Sequence, residues 1–403
     1  MSGDVFVSGS IRIPPFKGHL DNNEEYERSM TDIQYTAKRL TLAVAVIAAA
    51  AASFMAPVAS ATPASEATEW LSSQLKSTSE GSYCELFGEA SVGETIECQL
   101  AFKAAGSSFE TQRKATYEWA IANKAKYIGT ASCETTKEAL SAGAVAKLAL
   151  AVEAQGGNPR SVGSRNLIED LACLQVKSGS ETGRFSDKNQ ENFSNVTTQS
   201  LALIALKACE GNCSGKPSLK ASIESGATYL RGQQCAGSKP ASLNGAFRST
   251  MGLAANTCNA EPPFPTEETE NANAVEVDST GAAVQALLAS GGSENEAAAE
   301  AAVKWLKKNE ETAGFWQSYC SASEPTKLFA SVNSTALGVM AEVEDGASFS
   351  KGQKWLKGIV EGQPKGERGL PACGASGAPE VLATAQGIFG LFGTSYPRLV
   401  GLP

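Results

Sequence analysis

The feature that most constrains this chain is a unit repeated six times. Its clearest copy is Trp305 to Cys320, WLKKNEETAGFWQSYC. A helix ends at Trp305 and Leu306, Asn309 follows, and a glycine turn leads into aromatic residues at Gly314, Phe315 and Trp316. Five copies place an aromatic residue or Leu four positions before Gln or Asn: Trp70 and Gln74, Trp119 and Asn123, Leu171 and Gln175, Tyr229 and Gln233, Trp305 and Asn309. The sixth anchor, Trp355, has Ile359 instead, and the steps between anchors are 49, 52, 58, 76 and 50 residues. A recurring pattern of this kind marks one supersecondary unit copied along the chain.

Glycine follows each anchor. Four copies read Gly-x-aromatic, at Gly81 to Tyr83, Gly183 to Phe185, Gly245 to Phe247 and Gly314 to Trp316. The second and sixth degrade to Gly129-Thr-Ala131 and Gly369-Leu-Pro371. A run dense in Ala and Leu comes next, as in Asn195 to Leu206, Asp278 to Leu288 and Asn333 to Ala341. Asn195, Asp278 and Asn333 are expected to cap the first turns of these helices with side-chain oxygens. The anchor segments are amphipathic: Ala301, Trp305 and Leu306 share Ala297 to Lys308 with Glu300, Lys304 and Lys307. Each unit therefore reads as an outer amphipathic helix, a turn and a buried inner helix. Six such pairs predict an all-α chain with almost no sheet. The first and last copies keep Trp, Gly and Cys, and the last inner helix is apolar to Phe392, so the expectation is a closed ring.

The domain is expected to span 62–403. Lys38 and Arg39 precede an apolar run from Leu40 to Val58, and Ala59-Ser60-Ala61 then gives a small-x-small cleavage pattern before Thr62. Residues 1–61 read as a leader with a secretory signal peptide cleaved between Ala61 and Thr62, and Met30 is an alternative start. No second apolar span follows, so an extracellular protein without a membrane span is expected. The net charge of −9 and the lack of a basic stripe argue against nucleic acid as a partner.

Ten cysteines, all after the leader, predict five disulfides. Cys84 with Cys133 and Cys320 with Cys373 hold equivalent places in adjacent copies and are expected to pair. Cys209 with Cys213 and Cys235 with Cys258 pair by proximity, which leaves Cys98 with Cys173. Each bridge is worth roughly 2–4 kcal/mol. There is no CxxC pair, and the only histidine, His19, lies in the leader. No metal centre and no cofactor are expected, and Ser-His-Asp and Cys-His catalysis are excluded from 62–403.

Gln, a spacer and Gly-x-Trp/Phe, repeated with helix pairs, resembles the repeat of the terpene cyclase and protein prenyltransferase superfamily. The resemblance covers about all of 62–403 and implies an (α/α)6 toroid of six outer and six inner helices. It implies little about activity, because that fold carries enzymes and binders alike. The cyclases' Asp-x-Asp-Asp acid is matched only by Glu276-Val-Asp278, and the prenyltransferases' zinc needs a histidine that 62–403 lacks. The thioester motif of complement-type toroids is not matched by Pro371-Ala-Cys373-Gly-Ala.

Asp278 is the foremost candidate for chemistry, either paired with Glu276 to protonate an alkene or bind a cation, or simply as a helix cap, the preferred reading. Trp316 is the tryptophan expected to meet a ligand. The anchor Gln and Asn side chains are expected to bond backbone at helix ends, and the other tryptophans to fill space between outer helices. The long fourth-copy loop, 248–277, reads as a lid or a tether. The leading function is a secreted toroid that binds a small apolar molecule, a cell-wall component or a protein. The alternatives are an isoprenoid enzyme using Asp278 and Glu276, and a structural surface protein.

Overall fold

The computed structural model describes residues 61–213, 218–261, 271–320, 324, 326–374 and 377–403. The leader up to Ser60, and 262–270 of the expected lid, lie outside the described residues. In chain order the elements are helix α1 (Pro63–Ser73), strands β1 (Lys76–Thr78), β2 (Gly81–Leu86) and β3 (Glu89–Ser91), then helices α2 (Val92–Ala105), α3 (Glu110–Ala122), α4 (Ala125–Ile128), α5 (Ala142–Ala154), α6 (Leu167–Leu174), α7 (Val196–Asn212) and α8 (Lys220–Gly232). They continue as β4 (Phe247–Arg248), β5 (Val275–Glu276), α9 (Val277–Ser290), α10 (Ser293–Asn309), β6 (Trp316–Ser318), β7 (Phe329–Ser331), α11 (Val332–Glu344), α12 (Ser350–Gly362), α13 (Val381–Phe392) and α14 (Tyr396–Leu399).

The outer helices are α1, α3, α6, α8, α10 and α12; the inner ones are α2, α5, α7, α9, α11 and α13. Each inner helix packs on the next in that order, and α13 packs back on α2, so the inner layer is a closed ring. The seam joins the last copy to the first: Arg368 pairs with Glu66, and Gly369 lies against the Trp70 ring. Among the described residues, sheet is confined to three small antiparallel units, β1–β2–β3, β4–β5 and β6–β7, each at the turn from outer to inner helix. Hence the near-absence of strand expected from the sequence needs this small revision. Alternation is too short there to stand out over two or three residues.

The glycine turn is where the copies interlock. Gly314 has φ +93°, a left-handed value that glycine adopts without a Cβ penalty. A Cβ there would sit 2.6 Å from the Lys351 carbonyl oxygen of the next outer helix. Gly81, Gly183 and Gly245 meet α3, α8 and α10 of their next copies in the same way, at 2.3, 2.2 and 2.5 Å. The backbone just after each glycine is then pinned to the following inner helix. The amides of Cys84, Phe247, Trp316 and Leu370 donate to Thr95, Thr280, Thr335 and Thr384 Oγ1 at 3.0, 2.9, 3.1 and 2.8 Å. In the third copy Phe185 N–H donates to Gln199 Oε1 at 2.9 Å. The hydroxyls of Thr95, Thr280 and Thr335 donate to carbonyls four residues back, at 2.6, 2.7 and 2.6 Å, so one residue serves both turn and helix.

All ten cysteines are paired. Cys209–Cys213, Cys235–Cys258 and Cys320–Cys373 are the pairs expected from the sequence. Two pairs differ: Cys84 joins Cys98, and Cys133 joins Cys173, rather than Cys84 with Cys133 and Cys98 with Cys173. The Thr95 pin explains the first. It holds Cys84 over α2, and Cys98, one turn further along the same helix face, comes within 6.8 Å Cα to Cα. The second follows from α6. Asp170 Oδ1 accepts from the Cys133 amide at 2.7 Å, and Cys173 is one turn on from Asp170. Arg165, itself buried, holds Asp170 at 2.6 Å.

After α13 the chain turns across the ring. The short helix α14 touches α2, α7 and α9. Tyr396, Leu399 and Val400 are buried, and Tyr396 stacks at a tilt on Phe389, 5.3 Å between ring centroids. The Tyr396 amide donates to Gln285 Oε1 at 3.1 Å, its hydroxyl to Glu97 Oε2 at 3.3 Å, and Asn212 Nδ2 donates to the Val400 carbonyl at 3.3 Å. The tail thus stoppers the ring from the side where the inner helices end.

The threonine pin predicts the effect of Thr335→Val, which keeps shape but leaves the Trp316 amide without an acceptor. We expect a loss of about 1–3 kcal/mol in urea unfolding. An unchanged midpoint would show that the amide finds another acceptor.

Candidate functional site

The six inner helices begin at one mouth of the ring, opposite the tail. Ser91, Ser141, Asn195 and Ser331 cap their helices through side-chain oxygens. Asp278 and Asn333 do not, contrary to the cap reading. The cap positions are Glu276 and Ser331, and Asp278 and Asn333 each stand two residues further in. Asn333 Nδ2 donates to Gln386 Oε1 of α13 at 2.7 Å. Asp278 faces a cavity of about 480 Å³ between the start of α9, the end of α10 and the β6–β7 hairpin.

This cavity has mixed polar and apolar walls. Glu276, Asp278, Glu310 and Glu311 line it with Lys308, Asn309, Gln317, Ser318 and Tyr319; Trp305, Leu243 and Leu328 supply apolar surface. Asp278 Oδ1 is buried and has no hydrogen-bond partner among the described residues. Burial pushes its carboxyl above the usual range, against a smaller opposing effect of the Ser334 hydroxyl. Glu276 Oε2 accepts from Ser279 Oγ at 3.0 Å, which ties that carboxylate to the first turn of α9.

A second ionisable group of residues lies in the ring, where Tyr396 meets Glu97 of α2 and Glu97 meets Lys147 of α5. Lys147 Nζ and Glu97 Oε1 are 2.6 Å apart. Burial alone would lower the Lys147 ammonium, but the carboxylates of Glu97 and Glu94 and the Tyr127 hydroxyl outweigh it and leave it raised. Glu94 is pushed up to about 7, mainly by burial, then by Glu97, with Lys147 opposing. The sequence hinted at neither glutamate, because Glu94 and Glu97 fall within an inner-helix run whose other residues read simply as core.

The remaining expected site residues are placed as follows. Trp316 is fully buried, so it is core and not a ligand contact: its indole Nε1 donates to the Leu306 carbonyl at 2.9 Å, and its ring lies on Gly338 and Gly352. The pin on its amide turns the ring inward between the layers. Gln175, Gln233, Asn123 and Asn309 bond backbone carbonyls, at 2.8, 3.2, 3.0 and 2.8 Å. Gln175 reaches Ser222 of the next outer helix, a link between copies that the period alone does not show. Trp119 and Trp305 are buried, whereas Trp355 lines a shallow groove with Lys351 and Lys354.

No family model and no curated protein sequence matches this chain. Solved structures do. The α-1,6-mannanase of Salegentibacter sp. HEL1_6 aligns over 82% of this chain and 97% of its own, at 12% identity and a TM-score of 0.55. This is the α/α toroid fold. The unsaturated glucuronyl hydrolase of Bacillus sp. GL1 aligns over 82% and 94%, at 10% identity and a TM-score of 0.52. The ent-copalyl diphosphate synthase of Streptomyces platensis aligns over 76% of this chain but only 53% of its own, with 15% identity and a TM-score of 0.45. At such identities the toroid likeness extends to the fold alone. No helix among the described residues is long and apolar enough to cross a membrane.

The raised Glu94 carboxyl has a consequence for stability. Its ionisation opposes folding, so the folded toroid loses stability as pH rises from the unfolded value near 4.3 to about 7. Glu94→Gln is expected to match the parent at pH 4 and to exceed it above pH 7 by up to about 3 kcal/mol. Denaturant titrations at both pH values check this. Glu342, raised to about 7 chiefly by burial and Glu310, keeps part of the slope in the variant.

Proposed function

We propose that the toroid is an exported binding protein whose Asp278 cavity takes a carbohydrate-class ligand, of the kind a cell wall presents, without converting it. One observation carries this reading: Asp278, whose Oδ1 is buried without a hydrogen-bond partner among the described residues, lines a cavity whose walls also carry carboxylates, amides and hydroxyls. Such walls accept hydrogen bonds from hydroxyl groups, with Trp305 and Tyr319 offering ring surface to a sugar. A volume of about 480 Å³ falls within the range of small-molecule sites. The mannanase neighbour was solved with α-1,6-mannotriose, which fits the same ligand class. Several charged side chains, Glu276, Asp278, Lys308, Glu310 and Glu311, line the cavity and favour a hydroxyl-rich ligand over a small apolar molecule or an isoprenoid. Export rests on the leader and on the complete pairing of ten cysteines, a state kept in oxidising compartments.

A second reading has one observation behind it. A carboxyl raised by burial, as at Asp278, is the form that a general acid needs to cleave a glycosidic bond. It needs a second carboxylate opposing it across the sugar, for which Glu310 and Glu311 are the available groups.

Calorimetric titration with cell-wall oligosaccharides separates these readings. Asp278→Asn should weaken binding roughly tenfold to a hundredfold, as loss of a charged hydrogen bond does, with no sugar released by the parent protein. Unchanged affinity in the variant overturns the site. Reducing ends released by the parent but not by the variant replace the binder with the hydrolase.

A further inference from the structure

The tail side of the ring holds a group that the mouth does not use. Glu153, in the last turn of α5, is 8% exposed, and both carboxyl oxygens are buried without a hydrogen-bond partner among the described residues. It faces the Cys209–Cys213 disulfide: a carboxyl oxygen and the two sulfurs lie within 4.8 Å of one another. A buried polar group without a partner is rare enough to need a reason, and redox chemistry is one.

The disulfide itself differs from the other four. It links residues only 4 apart, whereas the others span 14, 40, 23 and 53. Loop-closure stabilisation grows with loop length, so this bridge adds the least as a tether. Its two sulfurs also differ in access. Cys209 is buried inside α7, and Cys213 is partly exposed at the helix cap. That gives an outer sulfur more open to attack and an inner one to leave, with the carboxyl within 4.8 Å of both.

We propose that Cys209–Cys213 is a redox-active disulfide and that Glu153 is its proton donor. A thiolate of an external dithiol attacks Cys213 Sγ. The protein S–S bond breaks, its electron pair leaves on Cys209 Sγ, and the Glu153 carboxyl passes its proton to that sulfur. The dithiol's second thiol gives its proton to solvent and attacks the mixed disulfide from the reductant's side. Cys213 leaves as a thiolate and is protonated, while Glu153 regains a proton from water. In sum the protein disulfide gains two electrons and two protons, and the dithiol becomes a disulfide.

The surroundings suit this role. Burial holds the Glu153 carboxyl well above the usual carboxylate range, in favour of the acid form. Among the described residues, the charged groups on neighbouring elements are engaged elsewhere. Arg113 of α3 donates to the Ala154 carbonyl and to Gln155 Oε1, and Lys207 pairs with Glu210 on α7 at 3.4 Å.

The test is timed reduction of the native full chain by dithiothreitol, with alkylation and peptide mapping. Cys209 and Cys213 are expected to be alkylated first, with Cys84–Cys98 and Cys133–Cys173 intact. Glu153→Gln, isosteric and unable to give a proton, is expected to slow that step roughly tenfold or more. It should also remove the fall in rate that the parent shows as Glu153 ionises, with an unchanged circular dichroism spectrum. Reduction of Cys209–Cys213 no faster than the others overturns the proposal. So does an unaltered pH profile in Glu153→Gln, which would leave the carboxyl a purely structural role.

Discussion

The hydrogen bond from the glycine-turn amide to a threonine one turn into the next inner helix is the interaction on which this fold turns. It is short, buried and repeated at Thr95, Thr280, Thr335 and Thr384, with Gln199 taking the same part. It fixes where each outer helix hands over to its inner partner. The glycine beside it lets the next outer helix approach to backbone contact, which no side chain at that position would permit. Together the two set the spacing between copies, and that spacing closes after six.

Closure has a chemical consequence. In a ring of parallel inner helices the first turns converge at one mouth and the last turns at the other. Here the chain's own tail fills the second mouth, with Tyr396 reaching Glu97 and Gln285. The Asp278 cavity sits at the rim, between copies, where the fourth loop and the β6–β7 hairpin add walls.

Much of this was legible in the residues. The period, the two helix types, the glycine turn and the role of the anchor amides all follow from local patterns: 3.6-residue periodicity, capping preference and turn chemistry. The site was legible only in part. Asp278 drew notice by position, yet its neighbours in repeat phase pointed to a cap, while the cap lies two residues earlier. Trp316 drew notice by its place after the turn, but the pinned amide directs its ring into the core. Glu94, Glu97, Lys147 and Glu153 were illegible, because their meaning depends on burial and on partners such as the Lys147–Glu97 pair and the Cys209–Cys213 disulfide, tens of positions away.

The amino-acid sequence by itself determined that the chain is a set of six α-hairpins stabilised by disulfides, because helix periodicity, glycine and cysteine act over short stretches of chain. Only the tertiary structure decided which cysteines meet, which carboxyls are stripped of water, and that the tail enters the ring. Those outcomes depend on distances between elements far apart in sequence. The reach of a disulfide and the cost of burying a charge are set by such distances, and no local pattern encodes them.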